Sequence, residues 1–238
     1  MSEIRVKQVF DAKSFRAAFA GVAISMVFAL PATASTIVTN GSFETGVPGN
    51  ARGLNFKSNF NNLNTSGSSW DVWKRLNGWT TRSGPGIEVQ SNRTLSTIDA
   101  QDGTKYVELD SNANSSMGQN IALKAGQYLL SFWYSPRTAD PKTNGIEYAV
   151  GKLVSGTATN GKPVGASPGR WTLVSTLFTV KKAGSYLLAF GASGRNDSYG
   201  GLIDNISVDP APVPLPAAGV GLMLGLGSLA AMRRRRKA

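Results

Sequence analysis

Four acidic side chains in strand-like segments could carry out acid–base chemistry in this chain. They are Glu88, Glu108, Asp110 and Glu147. Glu108 and Asp110 are two residues apart, so in a strand they share one face with their backbones about 6.5 to 7 Å apart. Two carboxyl groups about 5 to 10 Å apart are enough for glycoside hydrolysis. The spacing therefore permits a carboxylate-only polysaccharide hydrolase or lyase, although many solvated sheet faces share it.

The chain contains no cysteine and no histidine. Without cysteine it has no disulfide framework and no thiol nucleophile. Without histidine it has no Ser-His-Asp triad, no histidine zinc site and no general base naturally poised near neutral pH. Because these common catalytic arrangements are excluded, we expect a protein that is not an enzyme.

Aromatic rings and arginines provide a second chemistry, the recognition of carbohydrate. The flat C–H faces of a sugar ring stack on Trp or Tyr, and guanidinium or carboxylate groups hydrogen-bond its hydroxyls or acidic groups. The candidate binding residues are Trp70, Trp73, Arg82, Tyr134, Arg137, Arg195, Asp197 and Tyr199. Trp70 and Trp73 stand among polar residues, which leaves a binding role and a core role open. Trp79, Trp133 and Trp171 lie within or beside strand patterns and are predicted to be core residues.

The elements that must position these residues are short strands separated by turn signals. We predict strands over residues 86–90, 105–110, 117–123, 127–135, 145–153, 170–180, 185–192 and 202–208. In the second of these, Tyr106, Glu108 and Asp110 alternate with Val107 and Leu109, which predicts one buried and one wet face. No segment has a helical period, so residues 35–209 are predicted to form one all-β domain, a sandwich or barrel. Residues 50–69 have no strand pattern and are predicted to be a long surface loop.

A series of short motifs sharpens this prediction. The sequence has NGSFE at 40–44, GW at 78–79, DGTKYVEL at 102–109, an AG-x-Y-x-L pattern at 125–130 and again at 183–188, and LIDNISV at 202–208. In this order the motifs resemble the galactose-binding-like domains of carbohydrate-binding modules and plant cell-wall proteins. The resemblance implies a single jelly-roll β-sandwich that binds carbohydrate.

The same resemblance implies a structural calcium ion where the first and last strands lie close together. The carboxylates would come from Glu44 and Asp204. Since calcium takes roughly six to eight oxygen ligands, we expect the backbone carbonyls of Gly41 and Lys105 and the side chain of Asp102 to contribute as well. Alternatively, Glu44 caps a turn and Asp204 bonds nearby backbone amides.

The N-terminal 34 residues have the three parts of a secretory signal peptide. Basic residues, namely Arg5, Lys7, Lys13 and Arg16, precede an apolar stretch over 17–30. Ala32 and Ala34 then form an A-x-A cleavage site, so the mature chain is predicted to begin at Ser35. The implied partners are the secretion machinery and signal peptidase.

The C-terminal segment, 210–238, combines a proline-spaced motif, an uncharged stretch over 215–232 and a basic end. About 18 residues at about 1.5 Å each span roughly 27 Å, enough to cross a bilayer core. The motif is Val213, Pro214, Leu215, Pro216 and Ala217, and the basic residues are Arg233, Arg234, Arg235, Arg236 and Lys237. The positive-inside rule places this basic end in the cytoplasm.

Motif, apolar helix and arginine cluster together resemble the PEP-CTERM sorting signals of Gram-negative bacteria, in their VPLPA form. The resemblance implies transient anchoring in the inner membrane and recognition by an exosortase, which cuts near the motif and passes the protein to the cell surface or extracellular matrix. An ordinary single-pass membrane anchor has similar hydropathy.

The formal net charge of +11 would by itself suggest a nucleic-acid partner. Residues 1–34 hold four basic and two acidic residues, and residues 233–237 hold five basic ones. The 16 basic and 12 acidic residues between them leave a charge of +4. We therefore infer no nucleic-acid partner, while the remaining basic character favours acidic polysaccharide.

These observations predict an exported, exosortase-processed surface or matrix protein whose β-sandwich binds exopolysaccharide without catalysis. The alternative is a structural biofilm or matrix protein that uses the sandwich for protein assembly, without glycan binding. The carboxylate-only hydrolase or lyase is the third hypothesis.

Overall fold

The structure is a computed structural model that describes residues 37–47, 51–63, 69–92, 94, 98–160 and 166–211. In these ranges the chain forms eleven β-strands and a short 3-10 turn at Phe60–Asn62. The strands are β1 (Trp70–Trp73), β2 (Thr80–Ser83), β3 (Ile87–Ser91), β4 (Lys105–Glu108), β5 (Ser116–Leu123), β6 (Gly126–Pro136), β7 (Gly145–Val150), β8 (Val154–Ala158), β9 (Thr172–Val180), β10 (Gly184–Ser193) and β11 (Gly201–Pro210).

The strands form two antiparallel sheets. The six-stranded sheet has the order β1-β3-β4-β11-β6-β9, and the five-stranded sheet has the order β2-β5-β10-β7-β8. From β4 onward the chain crosses from one sheet to the other at almost every connection, and only the β7–β8 hairpin stays within one sheet. This alternation is the connectivity of a jelly roll, so the predicted all-β jelly-roll sandwich is confirmed.

The core lies between the two sheets and consists of the apolar residues that alternate along the strands. In β6, Leu130 and Phe132 point inward, and in β10, Leu188 and Phe190 do so. Phe132 and Phe190 meet with their ring centroids 5.1 Å apart. Burying an apolar side chain of this size contributes about 1.5 to 3 kcal/mol, so these facing rows hold the sheets together.

The eight predicted strands are confirmed, with end points that differ by a few residues. Three further strands, β1, β2 and β8, were not predicted. Each is only four or five residues long, and β2 and β8 are rich in Thr, Ser and Gly. Strands this short and polar carry little periodic signal.

The face of β4 that carries Tyr106 and Glu108 is buried, which corrects the prediction that it is wet. Tyr106, Glu108 and Asp110 are all fully buried. Trp171 covers part of this face, because its ring packs against Tyr106 at 5.8 Å and its indole N–H donates to the carbonyl of Asp99 at 2.8 Å. A polar face is therefore buried outside the central core.

Of the three tryptophans predicted as core residues, only Trp79 lies between the sheets, where its ring is 6.0 Å from Phe190. Trp171 lies on the outer face of the six-stranded sheet and is partly exposed. Trp133 is partly exposed and points to the same outer face, because its neighbours in β6 point into the core. The prediction of a core position was therefore wrong for Trp133 and Trp171, which both lie on the outer face of the six-stranded sheet.

The predicted surface loop over 50–69 is partly built into the domain. Phe60 and Leu63 are buried in the core, and the amide of Leu54 donates to the carbonyl of Val72 in β1 at 2.8 Å. The described part of this segment thus covers the edge of the six-stranded sheet.

The predicted targeting segments lie outside the described residues, except for the first two residues of 210–238. Within the described ranges, no helix is both long and apolar enough to span a membrane. The signal peptide and the sorting signal stay predictions from the sequence.

Candidate functional site

The outer face of the five-stranded sheet has two adjacent rows of small or polar side chains. Strand register aligns Ser116, Gly191, Glu147 and Thr157 in one row. It aligns Gly118, Ala189, Ala149 and Ser155 in the next. Because side chains alternate along a strand, both rows face away from Phe190 and the core.

These rows form the floor of an open groove of about 430 Å³. Its lining includes the small residues Ala149, Ala189 and Gly191, which leave space above the backbone. Gly118 continues the floor, and the stem of Arg82 lies beside it, with Cγ 3.5 Å from the position that a Cβ would occupy. This volume is in the range of known small-ligand sites, roughly 300 to 1,000 Å³.

The groove combines apolar surface with a few polar groups and is not strongly charged. Hydroxyl groups come from Ser116, Ser155 and Thr157, and Glu147 is the one charged residue of the lining. The exposed Glu147 carboxylate accepts a hydrogen bond from the hydroxyl of Ser193 at 3.3 Å. The lining can therefore donate to and accept from hydroxyl groups along an extended ligand, but it has a single carboxyl where glycoside hydrolysis needs two.

A second polar cluster lies on the buried outer face of the six-stranded sheet. Glu88 of β3 and Glu108 of β4 are direct cross-strand neighbours. The side-chain amide of Gln90 donates to both carboxyl groups. Nη1 of Arg137 donates to Glu108 at 2.8 and 2.9 Å and to the carbonyl of Ser198 at 3.0 Å.

Burial controls the protonation of this cluster. Desolvation first, and then the charge of Glu88, raise the pKa of Glu108 to about 8, although Arg137 opposes the shift. Desolvation also raises the pKa of Glu88. Two buried carboxyls beside a single guanidinium therefore retain a proton near neutral pH. Both are at most 2 % exposed, so a polysaccharide does not reach them.

The four acids considered for hydrolysis are therefore not brought together. Glu88, Glu108 and Asp110 are buried at the six-stranded sheet, and Glu147 lines the groove on the other sheet. Asp110 accepts hydrogen bonds from the amides of Asp197 and Ser198, both at 3.1 Å, which fixes the loop before β11. Desolvation raises the pKa of Asp110 as well.

Several predicted sugar-binding residues meet at the loops near this cluster, but their polar groups bond other residues of the domain. The Arg137 guanidinium lies 5.1 Å from the ring centre of the half-exposed Tyr199. Arg195 forms a surface ion pair with Asp140 at 2.9 Å. Asp197 accepts a hydrogen bond from the hydroxyl of Thr143.

Other predicted sugar-binding residues have different surroundings. Trp73 is 1 % exposed and packs in the core, with its ring 5.4 Å from that of Phe60. Tyr134 is fully buried, and its hydroxyl donates to the carbonyl of Asn144 at 2.9 Å. Burial excludes both rings from stacking on a sugar, which corrects that expectation. Trp70 is partly exposed at the sheet edge and meets the exposed Phe56 edge to face at 4.8 Å.

The residues considered for calcium do lie together, around the loop that precedes β4. Glu44 accepts hydrogen bonds from the amides of Thr104 at 2.7 Å and Lys105 at 2.6 Å. Asp204 accepts from the amides of Gln101 at 2.7 Å and Asp102 at 3.0 Å. Both carboxylates therefore hold one loop, from the N-terminal segment and from β11.

The remaining candidate ligands complete the same junction. The carbonyl of Gly41 accepts from the amide of Ile206 at 3.0 Å, and a side chain on Gly41 would overlap the Ile206 carbonyl. The carboxylate of Asp102 accepts from the Ser42 hydroxyl at 2.6 Å. Desolvation raises the pKa of Asp204 to about 7.

Calcium at this junction stays a prediction from the sequence. In the structure, amides from the loop before β4 bond one oxygen of each carboxylate, Oε1 of Glu44 and Oδ2 of Asp204. Among the described residues no group of three or more acidic side chains could hold a metal ion. Direct hydrogen bonding already joins the first and last parts of the domain, as in the alternative considered from the sequence.

Sequence reasoning missed the groove. Its only predicted members are Glu147, considered as a possible catalytic acid, and the neighbouring Arg82. The signal was the repetition of Gly, Ala and Ser at alternate positions of β5, β7 and β10. Such residues indicate open space only when the strand register is known.

No protein-family profile and no curated protein match this chain. Solved structures similar to it include the carbohydrate-binding module TmCBM61 in complex with β-1,4-galactotriose, with 16 % identity, a TM-score of 0.45, and coverage of 74 % of this chain and 99 % of that one. The CBM22-1 xylan-binding domain of Xyn10C from Paenibacillus barcinonensis is 12 % identical, with a TM-score of 0.39, over 61 % and 94 % of the chains. The C-terminal CBM6 of LamC from Zobellia galactanivorans is 18 % identical, with a TM-score of 0.36, over 54 % and 92 %.

Proposed function

We propose that this protein is an exported, non-catalytic carbohydrate-binding protein and that the groove on its five-stranded sheet holds an extended polysaccharide. The groove carries the proposal, because its glycine and alanine floor leaves room for a sugar chain and its hydroxyls and Glu147 can bond sugar hydroxyls. The function agrees with the carbohydrate-binding modules that share its general architecture, but it rests on the groove.

The direct test is binding of recombinant residues 35–211 to glycan arrays and to whole exopolysaccharide from the producing cells. Ala189 lies in the middle of the groove, so Ala189→Trp would fill the space. We expect this variant to bind at least about tenfold more weakly than the wild type, while circular dichroism reports an unchanged fold. Ser175→Trp, on an exposed position of the other sheet, is the matched control and is expected to bind like the wild type.

Two results would contradict this proposal. One is a folded wild-type domain that binds no polysaccharide from the producing cells. The other is an Ala189→Trp variant that folds and binds as tightly as Ser175→Trp, which would place the site elsewhere. Release of reducing sugar would contradict the non-catalytic part of the proposal.

The second candidate function is assembly of a matrix through protein–protein contacts, and β9 favours it. This strand lies at the edge of the six-stranded sheet and has no charged residue, proline or glycine along its nine residues. Leu173 is 51 % and Leu177 67 % exposed on its outer face. Long uncharged edge strands invite pairing with another chain.

Self-association separates the two functions. Assembly through β9 depends on protein concentration, is unaffected by added sugars, and is weakened by Leu177→Lys, because a charge on an edge opposes pairing. Polysaccharide retention that survives Leu177→Lys and is lost in Ala189→Trp assigns the function to the groove.

Cell-surface sorting and calcium belong to the proposal as expectations from the sequence. Replacement of Pro214 and Pro216 by alanine, which keeps the length of the uncharged stretch, is expected to prevent exosortase processing and to retain the protein in the inner membrane, as judged by cell fractionation. Thermal unfolding of residues 35–211 with calcium and with a chelator tests whether the Glu44 and Asp204 junction binds the ion after rearrangement. Equal midpoints would contradict calcium binding.

A further inference from the structure

Four exposed lysines lie together at one end of the sandwich. Lys124 is in the β5–β6 turn, Lys152 in the β7–β8 turn, and Lys181 and Lys182 in the β9–β10 turn. We call this end, with its three turns and Ala211, the lysine end.

Direct contacts bring the three turns together. The start of β6 pairs with the end of β9 through Gly126 and Val180, and Leu123 pairs with Gly184. The Tyr186 hydroxyl donates to the carbonyl of Lys182, and the amide of Gly151 donates to the carbonyl of Leu187 at 2.8 Å. The three turns therefore form one continuous surface.

The charge of the lysine end is not neutralised from within the domain. None of the four lysines forms an ion pair or side-chain hydrogen bond with any residue in the described ranges. In the turns and strand ends that form this surface, Asp209 is the single acidic residue. The opposite end has Asp110, Asp140 and Asp197 in its loops, with Arg137 and Arg195 paired to carboxylates.

The C-terminal segment leaves the domain at the lysine end. The amide of Ala211 donates to the carbonyl of Gln127 at 2.9 Å, beside the β5–β6 turn. Only three residues lie between Ala211 and Leu215, where the uncharged stretch begins. The four steps from Ala211 to Leu215, at about 3.3 to 3.6 Å each, reach at most about 14 Å.

This short reach limits where the domain can be while residues 215–232 span a bilayer. The lysine end must then stay within about 14 Å of the lipid surface, and the Debye length at physiological salt is about 8 Å. Unpaired ammonium groups at this distance are attracted to anionic headgroups.

We propose that the lysine end is a membrane-docking surface, on which Lys124, Lys152, Lys181 and Lys182 bind the anionic phospholipid headgroups of the bilayer that anchors the tail. Docking orients the sandwich with the loops of the opposite end away from the membrane. The proposal holds whether or not the groove binds polysaccharide.

The absence of cysteine makes a direct test simple, because one introduced cysteine gives a single labelling site. Full-length chain with Ala183→Cys carries a donor dye at the lysine end, and full-length chain with Ala139→Cys carries it at the opposite end. Each is reconstituted in vesicles with a lipid-surface acceptor dye, made either of phosphatidylcholine alone or with about 30 % phosphatidylglycerol. Flotation at about 0.5 M salt, which removes purely electrostatic attachment, confirms insertion in both.

Docking predicts higher energy transfer from position 183 in phosphatidylglycerol vesicles than in phosphatidylcholine vesicles, with the difference lost at about 0.5 M salt. Transfer from position 139 is expected to stay low in both. Lys181→Gln with Lys182→Gln should remove at least half of the lipid-dependent difference. The control pair Lys57→Gln with Lys142→Gln, which also removes two exposed lysines, should leave it unchanged.

Equal transfer from position 183 in the two lipids would overturn the proposal, as would equal effects of the two double variants. Failure of the chain to float with vesicles would overturn its premise. If the lysines instead hold acidic polysaccharide, Lys181→Gln with Lys182→Gln lowers retention on polyuronate and leaves lipid-dependent transfer intact, which also contradicts docking.

Discussion

The outer faces of the two sheets differ, although strands of both sheets alternate in the same way. On the six-stranded sheet, Glu88 and Glu108 are buried and bonded to Gln90 and Arg137. On the five-stranded sheet, Ala149 and Ala189 leave an open groove. The first face contains costly buried charge that must be compensated locally, whereas the polar groups of the second, such as the Glu147 carboxylate, stay exposed while they bond their neighbours. Buried polar bonding and open space of ligand size therefore lie on different faces of this sandwich.

Arg137→Ala is expected to have the largest effect on stability, because it leaves the buried carboxyl of Glu108 without its cation. At pH 9, where the Glu108 carboxyl is ionised, the free energy of unfolding should fall by about 3 to 5 kcal/mol, as measured by urea denaturation. Arg195→Ala is the matched control, since Arg195 and Asp140 are 58 % and 42 % exposed, and it should cost about 0 to 1 kcal/mol. Equal costs would mean that the first face does not depend on its buried pair.

The pH dependence of stability gives the next largest effect. The pKa of Glu108 is raised from 4.5 to about 8 in the folded state, so the native protein binds more protons than the unfolded chain between these values. Stability should be greatest below about pH 4.5 with respect to this group and fall as the pH rises toward 8, by at most about 1.4 kcal/mol per pH unit.

Glu88→Gln sharpens that prediction. The charge of Glu88 raises the pKa of Glu108, so its removal should lower that pKa and narrow the pH window over which stability is lost. Urea midpoints between pH 5 and 9 measure the effect. An unchanged slope in the variant would show that the two carboxyls do not titrate together.

The smallest expected effects are changes in polysaccharide affinity. They compare a residue of the groove with a residue at the edge of the other sheet. Glu147→Gln removes the one charged group of the groove and should weaken polysaccharide binding about threefold. Trp70→Ala, at the edge of the other sheet, should change binding by less than about twofold. Affinity electrophoresis can compare both variants in one gel, and the reverse order would move the site to Trp70 and Phe56.

The sequence was sufficient to predict what depends on local alternation. Strands such as β6 and β10 alternate clearly over ten or eleven residues and were predicted, whereas the four residues of β1 and β2 were not. The family resemblance implied that Glu44 and Asp204 lie close together, and both carboxylates bond the loop before β4. Burial of Trp73 was harder to predict, since nothing local to it reveals that Phe60 packs against its ring. Tyr134 shares the inward face of β6 with Leu130 and Phe132, so alternation along this strand carries the signal for its burial.

The groove could not be predicted from any single strand. Ala149, Ala189 and Gly191 carry no chemical signal by themselves, and they form a floor only because β7 and β10 pair in one register. The lysine end likewise collects side chains from three turns that are distant in sequence. A groove that is open because its residues have small side chains, or a patch assembled from separate turns, can be predicted only when the pairing of the strands is known.

The position of β11 has a mechanical consequence. It lies inside the six-stranded sheet, between β4 and β6, and the C-terminal segment leaves from its end. When a pull on the tail acts along the strand axis, the hydrogen bonds that join β11 to β6 over 201–204 and 207–210, on either side of a register shift, are loaded together and not one after another. A sandwich held at its groove and pulled by its tail would thus resist in shear, the direction in which a β-sheet is strongest.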